Sequence, residues 1–351
     1  MHSQAITAFG KPLESLESPT PTPTGTEVLI RVEHCGVCHS DLHIHEGSFD
    51  LGGGAKLPLS AMLTLPHTLG HEVAGEGIAI GPDASGVSGG DHRAVYPWIG
   101  CGQCPACLRG QENYCNAPRN LGCSAGTPGG YATHVLVPHA RYLIDYGKTP
   151  PALAATYMCS GLTAYSAMKK IGALGPKDEV LVLGAGGVGM MGVQFARHLF
   201  GKPPLVADID EGRLQAAMGA GAKAAYNTKD PADAGKLMAD TEGGAYAIVD
   251  FVGSEATFAF AQTVVRRGGR IVIVGLFGGG MSMPLPMFPI RALTIGGSYV
   301  GSLAETEEMM AMVRDGKIDP IPVKTRPLDA ANSVLDDLRD GKVIGRLVLE
   351  P

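Results

Sequence analysis

Three groups of side chains in this sequence are spaced for chemistry. The first is Cys101, Cys104, Cys107 and Cys115, separated by two, two and seven residues. Four thiolates on one short stretch are what a closed tetrahedral zinc site requires. With every position taken by sulfur there is no room for a substrate, so the expected role is structural, pinning a lobe over residues 95–118. An iron–sulfur cluster also uses four cysteines, but the neighbouring chemistry needs no electron carrier.

The second group begins at Cys35-Gly-Val-Cys38-His39-Ser40-Asp41-Leu-His43, which carries six residues able to bind metal or move protons. Farther on stand Gly70-His71-Glu72 and, in a helical stretch over 152–171, Cys159. A catalytic zinc takes three protein ligands and keeps its fourth position open. A lone histidine is usually a hydrogen-bonded core residue, but beside Cys38 His71 reads as a ligand. A lone buried cysteine is usually packing. Cys159 shares a helix face with Thr163 at i, i+4 and is placed to close a metal site. Cys35 and Cys123 are left over and read as free thiols.

The third group is glycine. The run Glu179–Phe200 has an apolar strand, Val180–Leu183, then Gly184, Gly186 and Gly189 at G-x-G-x-x-G spacing, then a helix-forming segment. This opens a dinucleotide-binding unit, with Gly187 and Val188 inside the loop and the helix N-terminus facing the pyrophosphate. The strand Pro204–Asp210 follows and carries Asp208, 24 positions after Gly184. An acid at about 20 positions hydrogen-bonds the adenosine ribose 2′-OH, which favours NAD over NADP.

The elements that must position these groups follow from pattern. Val28–Val32 alternates as a half-buried strand, and Val73–Gly81 is a glycine-rich one. Residues 49–66 read as a long, irregular, mobile loop. From residue 178 the pattern alternates strands (179–184, 204–208, 247–250, 270–274, 293–297) with helices (187–200, 211–219, 231–240, 255–266), which implies a parallel sheet covered on both faces. Two helices, near 304–315 and 329–340, and a strand over 344–349 end the chain. The length of 351 residues suits two domains, and the net charge of −6 argues against a nucleic-acid partner. No run approaches a membrane span, and the opening MHSQAITAFGKP lacks the features of a signal peptide. The expectation is a cytoplasmic, reducing location, in which eight cysteines serve as ligands or free thiols rather than disulfides.

These motifs together resemble the zinc-dependent medium-chain alcohol dehydrogenases. GVCHSD, GHE, the four-cysteine lobe, MCSGLTAY, the glycine loop, IVIVGL, GGSYVG and IGRLV occur in one collinear set. The resemblance implies an α/β chain with a mainly β GroES-like catalytic domain over 1–150 and a Rossmann doubly wound NAD-binding domain over 151–290. Residues 291–351 would end the Rossmann sheet and return to the catalytic domain. It implies Cys38, His71 and Cys159 as ligands of a catalytic zinc, and Glu72 as an acid able to approach it. Asp41 would orient His71, Ser40 would take the alcohol proton, and His43 would relay it. His39 and Arg346 would contact the pyrophosphate, and Arg213 the adenosine side. Thr163, Val252, Val274 and Val300 would surround the nicotinamide, and Gly275, Leu276 and Ser298 would also contact the cofactor. Tyr96 and Trp98 would wall the pocket.

The implied activity is NAD-dependent interconversion of a small or medium, apolar alcohol and its aldehyde or ketone, with two zinc ions per chain. A homotetramer is expected, with a dimer as the other choice. The alternatives are a polyol or other secondary-alcohol dehydrogenase, which often replaces the ligand at Cys159 with a carboxylate, and a non-catalytic cofactor-binding relative. Loss of Ser40, Cys38 or His71 would mark the latter, and none is lost.

Overall fold

The computed structural model describes residues 1–60 and 62–351. They divide into two units: Met1–Ser48, Pro58–Leu162 and Gly301–Pro351 form the first, and Phe49–Leu57 with Thr163–Val300 form the second. The division thus falls at Leu162 and Val300 rather than at residues 150 and 290. Among the described residues, no helix is long and apolar enough to cross a membrane.

The first unit is built around the strand Val28–Gly36, which runs past the alternating segment Val28–Val32. It pairs antiparallel with Glu72–Ile80 along its length, with His134–Val137 at its start and with Arg346–Glu350 at its end. The sheet continues through His92–Val95 to Leu143–Ile144 on one side and through Arg346–Glu350 to Val323–Pro327 on the other. Val28, Ile30 and Val32 are buried on one face; on the other, Leu29 is covered and Arg31 is exposed. Irregular pairing between Val32 and His34 re-aims the strand end. There Gly36 lies opposite Glu72, and a Cβ on Gly36 would fall 1.9 Å from Glu72 Oε2. Only glycine leaves space for that carboxylate.

Helix His39–Glu46 follows at once, with Cys38 as its N-cap. Cys38 N–H donates to Asp41 Oδ2 at 2.9 Å, so the acid in the first turn satisfies a donor the helix leaves free. The stretch over 152–171 is not one continuous helix. Helix Pro151–Thr156 gives way to a π-turn, Tyr157–Gly161, before helix Leu162–Lys169. Ser160 N–H donates to Glu72 Oε1 at 3.0 Å, outside the helix. An acceptor inserted into the i→i−4 ladder opens it by one residue.

The second unit is a six-stranded parallel sheet in the order Ala224–Asn227, Leu205–Asp208, Val180–Leu183, Ala245–Asp250, Val265–Ile273, Thr294–Gly297. In chain order this is 3-2-1-4-5-6, the doubly wound dinucleotide-binding arrangement. All four residues of Val180–Leu183 are buried, which is why the sequence reads there as an unbroken apolar run. Leu181 and Leu183 pack with Leu205, Ile248, Phe258 and Ile271. Ala224–Asn227 is a strand the sequence pattern did not single out: Tyr226 is its one buried residue.

Residues 49–66 do not form the expected irregular loop. They begin in a hairpin of Ser48–Gly52 with Ala55–Pro58; Ala61 lies outside the described residues. Gly279 N–H donates to Asp50 O at 3.4 Å, which places Phe49–Leu57 with the second unit although it is flanked by the first in sequence.

Candidate active site

Cys38, His71 and Cys159 meet although 121 positions separate the two cysteines. One atom from each lies within 4.8 Å of the others, and all three residues are buried. The two sulfurs are 4.0 Å apart. A tetrahedral ion with Zn–S near 2.3 Å would hold two sulfurs about 3.8 Å apart, so the spacing fits zinc with little movement.

Asp41, fully buried, organises the histidine. Its Oδ1 lies 3.2 Å from His71 Nδ1 and accepts from Gly70 N–H at 3.3 Å. Its Oδ2 accepts from Cys38 N–H and from the Tyr131 hydroxyl at 3.2 Å. With Nδ1–H donated to Asp41, the lone pair of His71 is on Nε2. That atom is buried and has no hydrogen-bond partner. An orphaned buried nitrogen next to two thiols is what a metal ligand looks like without its ion.

A hydrogen bond from Cys159 holds the Cys38 thiol well below its ordinary pKa, and the same bond pushes Cys159 well above its own. Burial depresses His71, but the charges of Cys123, Asp41 and Cys159 outweigh it and raise the imidazole well above its usual value.

Glu72 is fully buried, and burial raises its pKa. It accepts from Ser160 and from Arg346, whose guanidinium is 4% exposed and keeps its charge because Glu72 outweighs the desolvation. Arg346 Nε has no partner. Ser40 is half-buried at the start of the Cys38-capped helix, and His39 is exposed. His43 is half-buried one turn on, and burial lowers its pKa against the charges of Glu46 and Cys38.

Three contacts at this site had no signal in the sequence: those of Tyr131, Ser160 and Cys123. Tyr131 holds Asp41, and Ser160 holds Glu72. Cys123 is not an isolated thiol: its sulfur lies 3.5 Å from His71 Nδ1. Trp98, 2% exposed, donates Nε1–H to Met158 O beside Cys159, and its ring centroid is 5.4 Å from that of His71. Tyr96, also buried, donates to Gly301 O.

In the four-cysteine lobe, Cys104 lies 3.5 Å from Cys107 and 3.8 Å from Cys115, and Cys101 lies 4.0 Å from Cys107. All four sulfurs lie within 4.8 Å of one another. Backbone N–H groups of Cys101 and Ala117 donate to Cys115 sulfur. Buried Glu112 braces the lobe: it accepts from Gly100 N–H, from the Tyr142 hydroxyl at 2.7 Å and from Arg141.

In the second unit, Gly184 has φ +89°, which favours glycine, and Gly186 caps helix Gly187–Phe200. A Cβ on Gly189 would lie 1.8 Å from Gly184 O. Asp208 ends its strand buried, with Oδ2 accepting from Ala185 N–H at 2.6 Å and Oδ1 from Asp210 N–H at 3.0 Å. The acid therefore also props the glycine loop. Arg213 lies in the next helix, where its N–H donates to the cap residue Asp210. Val252 and Gly275 touch where two strand ends leave the sheet; Val274 N–H donates to Asp250 O at 2.9 Å. Leu276 beyond them is 45% exposed. Buried Ser298 accepts from Lys170 at 2.6 Å. Thr163 is half-buried, and Val300 is buried with φ +38°, an uncommon conformation for a β-branched residue.

Comparison with known proteins follows this division. Residues 24–147 match the alcohol dehydrogenase GroES-like domain, and residues 187–315 match the zinc-binding dehydrogenase domain. The chain is 37% identical to an NAD-dependent alcohol dehydrogenase of Sulfurisphaera tokodaii and 37% identical to one of Saccharolobus solfataricus, in each case over the whole of both chains. The crystal structure of the alcohol dehydrogenase from Aeropyrum pernix superposes with a TM-score of 0.91 at 29% identity, covering all of both chains. A GroES-like unit with two cysteine-rich clusters and a 3-2-1-4-5-6 parallel sheet are thus joined in one chain, which belongs to the family of zinc-dependent medium-chain alcohol dehydrogenases.

Proposed function

We propose that this protein interconverts small to medium, apolar alcohols and their aldehydes or ketones, with NAD as partner in hydride transfer. Cys38, His71 and Cys159 hold the catalytic zinc, and Cys101, Cys104, Cys107 and Cys115 hold a structural one. The observation that carries the reading is the buried His71 Nε2 with no partner, beside two sulfurs at metal-binding separation. The names of the two archaeal relatives agree with it. When bound, zinc supplies Lewis acidity that lowers the pKa of a hydroxyl, and NAD takes the hydride.

The protein's own residues do the rest. Asp41 keeps the proton of His71 on Nδ1, so that Nε2 remains a donor to metal. Ser40 accepts the proton of the alcohol. His43, kept neutral at neutral pH by burial, takes it on towards solvent. Glu72 is the carboxylate that can approach the metal. Deprotonated Cys38 and Cys159 would balance the charge of one divalent ion, and Glu72 is paired with Arg346, so few unbalanced charges would remain for a charged substrate to meet.

For the cofactor, the N-terminus of helix Gly187–Phe200, with Gly184, Gly186 and Val188, receives the pyrophosphate, with His39 and Arg346. Asp208 and Arg213 take the adenosine ribose side. Thr163, Val252, Val274 and Val300 surround the nicotinamide, and Gly275, Leu276 and Ser298 also contact the cofactor. Asp208→Ala is expected to weaken NAD binding by about tenfold, the loss of one or two hydrogen bonds to a charged group, and to narrow the preference over NADP. Titration with both cofactors checks this; an unchanged ratio removes Asp208 from the ribose site.

Metal analysis combined with NADH formation tests the whole reading. Two zinc ions per chain and NAD reduction by apolar primary, secondary or aromatic alcohols are expected. One zinc per chain and no NAD reduction by any of them would reject it.

We further infer a cytoplasmic homotetramer. All eight cysteines are free thiols, which suits a reducing compartment. Thr294–Gly297 is the end strand of its sheet, and nearby Met281, Leu285 and Ile290 are more than half exposed. An uncovered strand edge beside apolar side chains favours pairing with a second copy about a two-fold axis. Light scattering should return four times the chain mass; a monomer would sink this inference.

A further inference from the structure

We propose that Ser160 is a positioning residue of the catalytic metal centre: with Glu72 and Arg346 it forms a clamp that locks the turn bearing Cys159 to the strand bearing His71 and slows metal release. The proposal rests on the reading that Cys38, His71 and Cys159 hold zinc.

The two ligands His71 and Cys159 sit on separate elements, and the residue after each ligand belongs to the clamp. Glu72 follows His71, and Ser160 follows Cys159. Glu72 Oε1 accepts twice from Ser160, from its N–H at 3.0 Å and from its hydroxyl at 2.6 Å. Glu72 Oε2 accepts from Arg346, on the Arg346–Glu350 strand. Neither Glu72 nor Ser160 is exposed at all. The backbone of Gly36 closes the remaining side, since even a Cβ there would strike Oε2.

A buried carboxylate with three charge-assisted bonds does not rotate without breaking several at once. While they hold, the Cys159 turn cannot drift from the His71 strand, and the distance between the two ligands is fixed. Glu72 is at the same time kept at its post beside the metal rather than on it. For Glu72 to reach the metal, the Ser160 bonds must open. The hydroxyl makes the shorter of the two bonds and can be removed without touching the backbone, so Ser160 is the member of the clamp that sets its strength.

Groups that support metal ligands from behind alter metal affinity by about 10- to 100-fold when removed. Zinc release from the purified, fully loaded protein into a colorimetric chelator reads this directly. The four-cysteine lobe serves as internal control, its phase identified from Cys38→Ala protein. Ser160→Ala should release the catalytic zinc about tenfold faster, with the lobe phase unchanged. Ser160→Thr, which keeps the hydroxyl, should return to near the parent rate. Unchanged release from Ser160→Ala, with two zinc ions bound, overturns the clamp and leaves the metal reading standing. A threonine variant as fast as the alanine one assigns the effect to packing and also overturns it. A parent protein that carries zinc only in the lobe overturns the metal reading and the clamp together.

Discussion

Cys38→Ala should leave one zinc per chain in place of two and lower kcat/KM by about a thousandfold or more, roughly 4 kcal/mol of lost transition-state stabilisation. The fold should survive. Without the sulfur, the start of helix His39–Glu46 still keeps the Cys38 N–H bond to the Asp41 side chain and the bond from Asp41 N–H to Cys38 O. The sulfur itself contacts Cys159 in a buried cluster, and losing it removes one of the two sulfurs at the proposed zinc site. Two measurements separate the outcomes: metal content, and turnover with the best alcohol substrate. Near-normal turnover with two zinc ions bound would show that Cys38 is no ligand.

Gly189→Val should be the most damaging change in the cofactor unit. A Cβ at this position lies 1.8 Å from Gly184 O, a backbone atom that cannot move without displacing the strand end. Overpacking of this kind costs about 3 kcal/mol, and NADH binding should be lost with it. Gly186→Ala offers the contrast. Its Cβ would meet nothing within 4 Å, and its φ of −68° suits any residue. This variant should fold as the parent does and yet bind NADH at least tenfold more weakly, because the added methyl fills space that the pyrophosphate needs. Urea unfolding and NADH fluorescence titration distinguish the two. If Gly186→Ala binds NADH normally, the pyrophosphate does not approach the loop there.

The long, periodic elements of the second unit are plain in the sequence because each is decided locally. Val180–Leu183 is apolar throughout because both faces are covered, and helices Gly187–Phe200, Glu211–Gly219 and Pro231–Asp240 begin and end where caps and glycines say they do. The strand Ala224–Asn227 escaped notice because its alanines and asparagine carry no strand signal; its pairing with Leu205–Asp208 makes it one. The π-turn at Tyr157–Gly161 escaped notice for a different reason. Nothing local in Tyr-Met-Cys-Ser-Gly marks it off from the helices on either side, and the turn is opened by an acceptor, Glu72, that comes from 88 positions away.

By themselves, the residues of this chain determined which chemistry is available: thiols and imidazoles at ligand spacing, and a glycine loop followed by an acid. They did so because metal ligation and close backbone approach tolerate few residue types. Tertiary structure alone decided which thiols and imidazole meet at one point, which nitrogen of His71 is left without a partner, and that Glu72 is tied to Ser160 and Arg346. Those outcomes depend on angles and on burial among elements remote in the chain, and no local pattern encodes them.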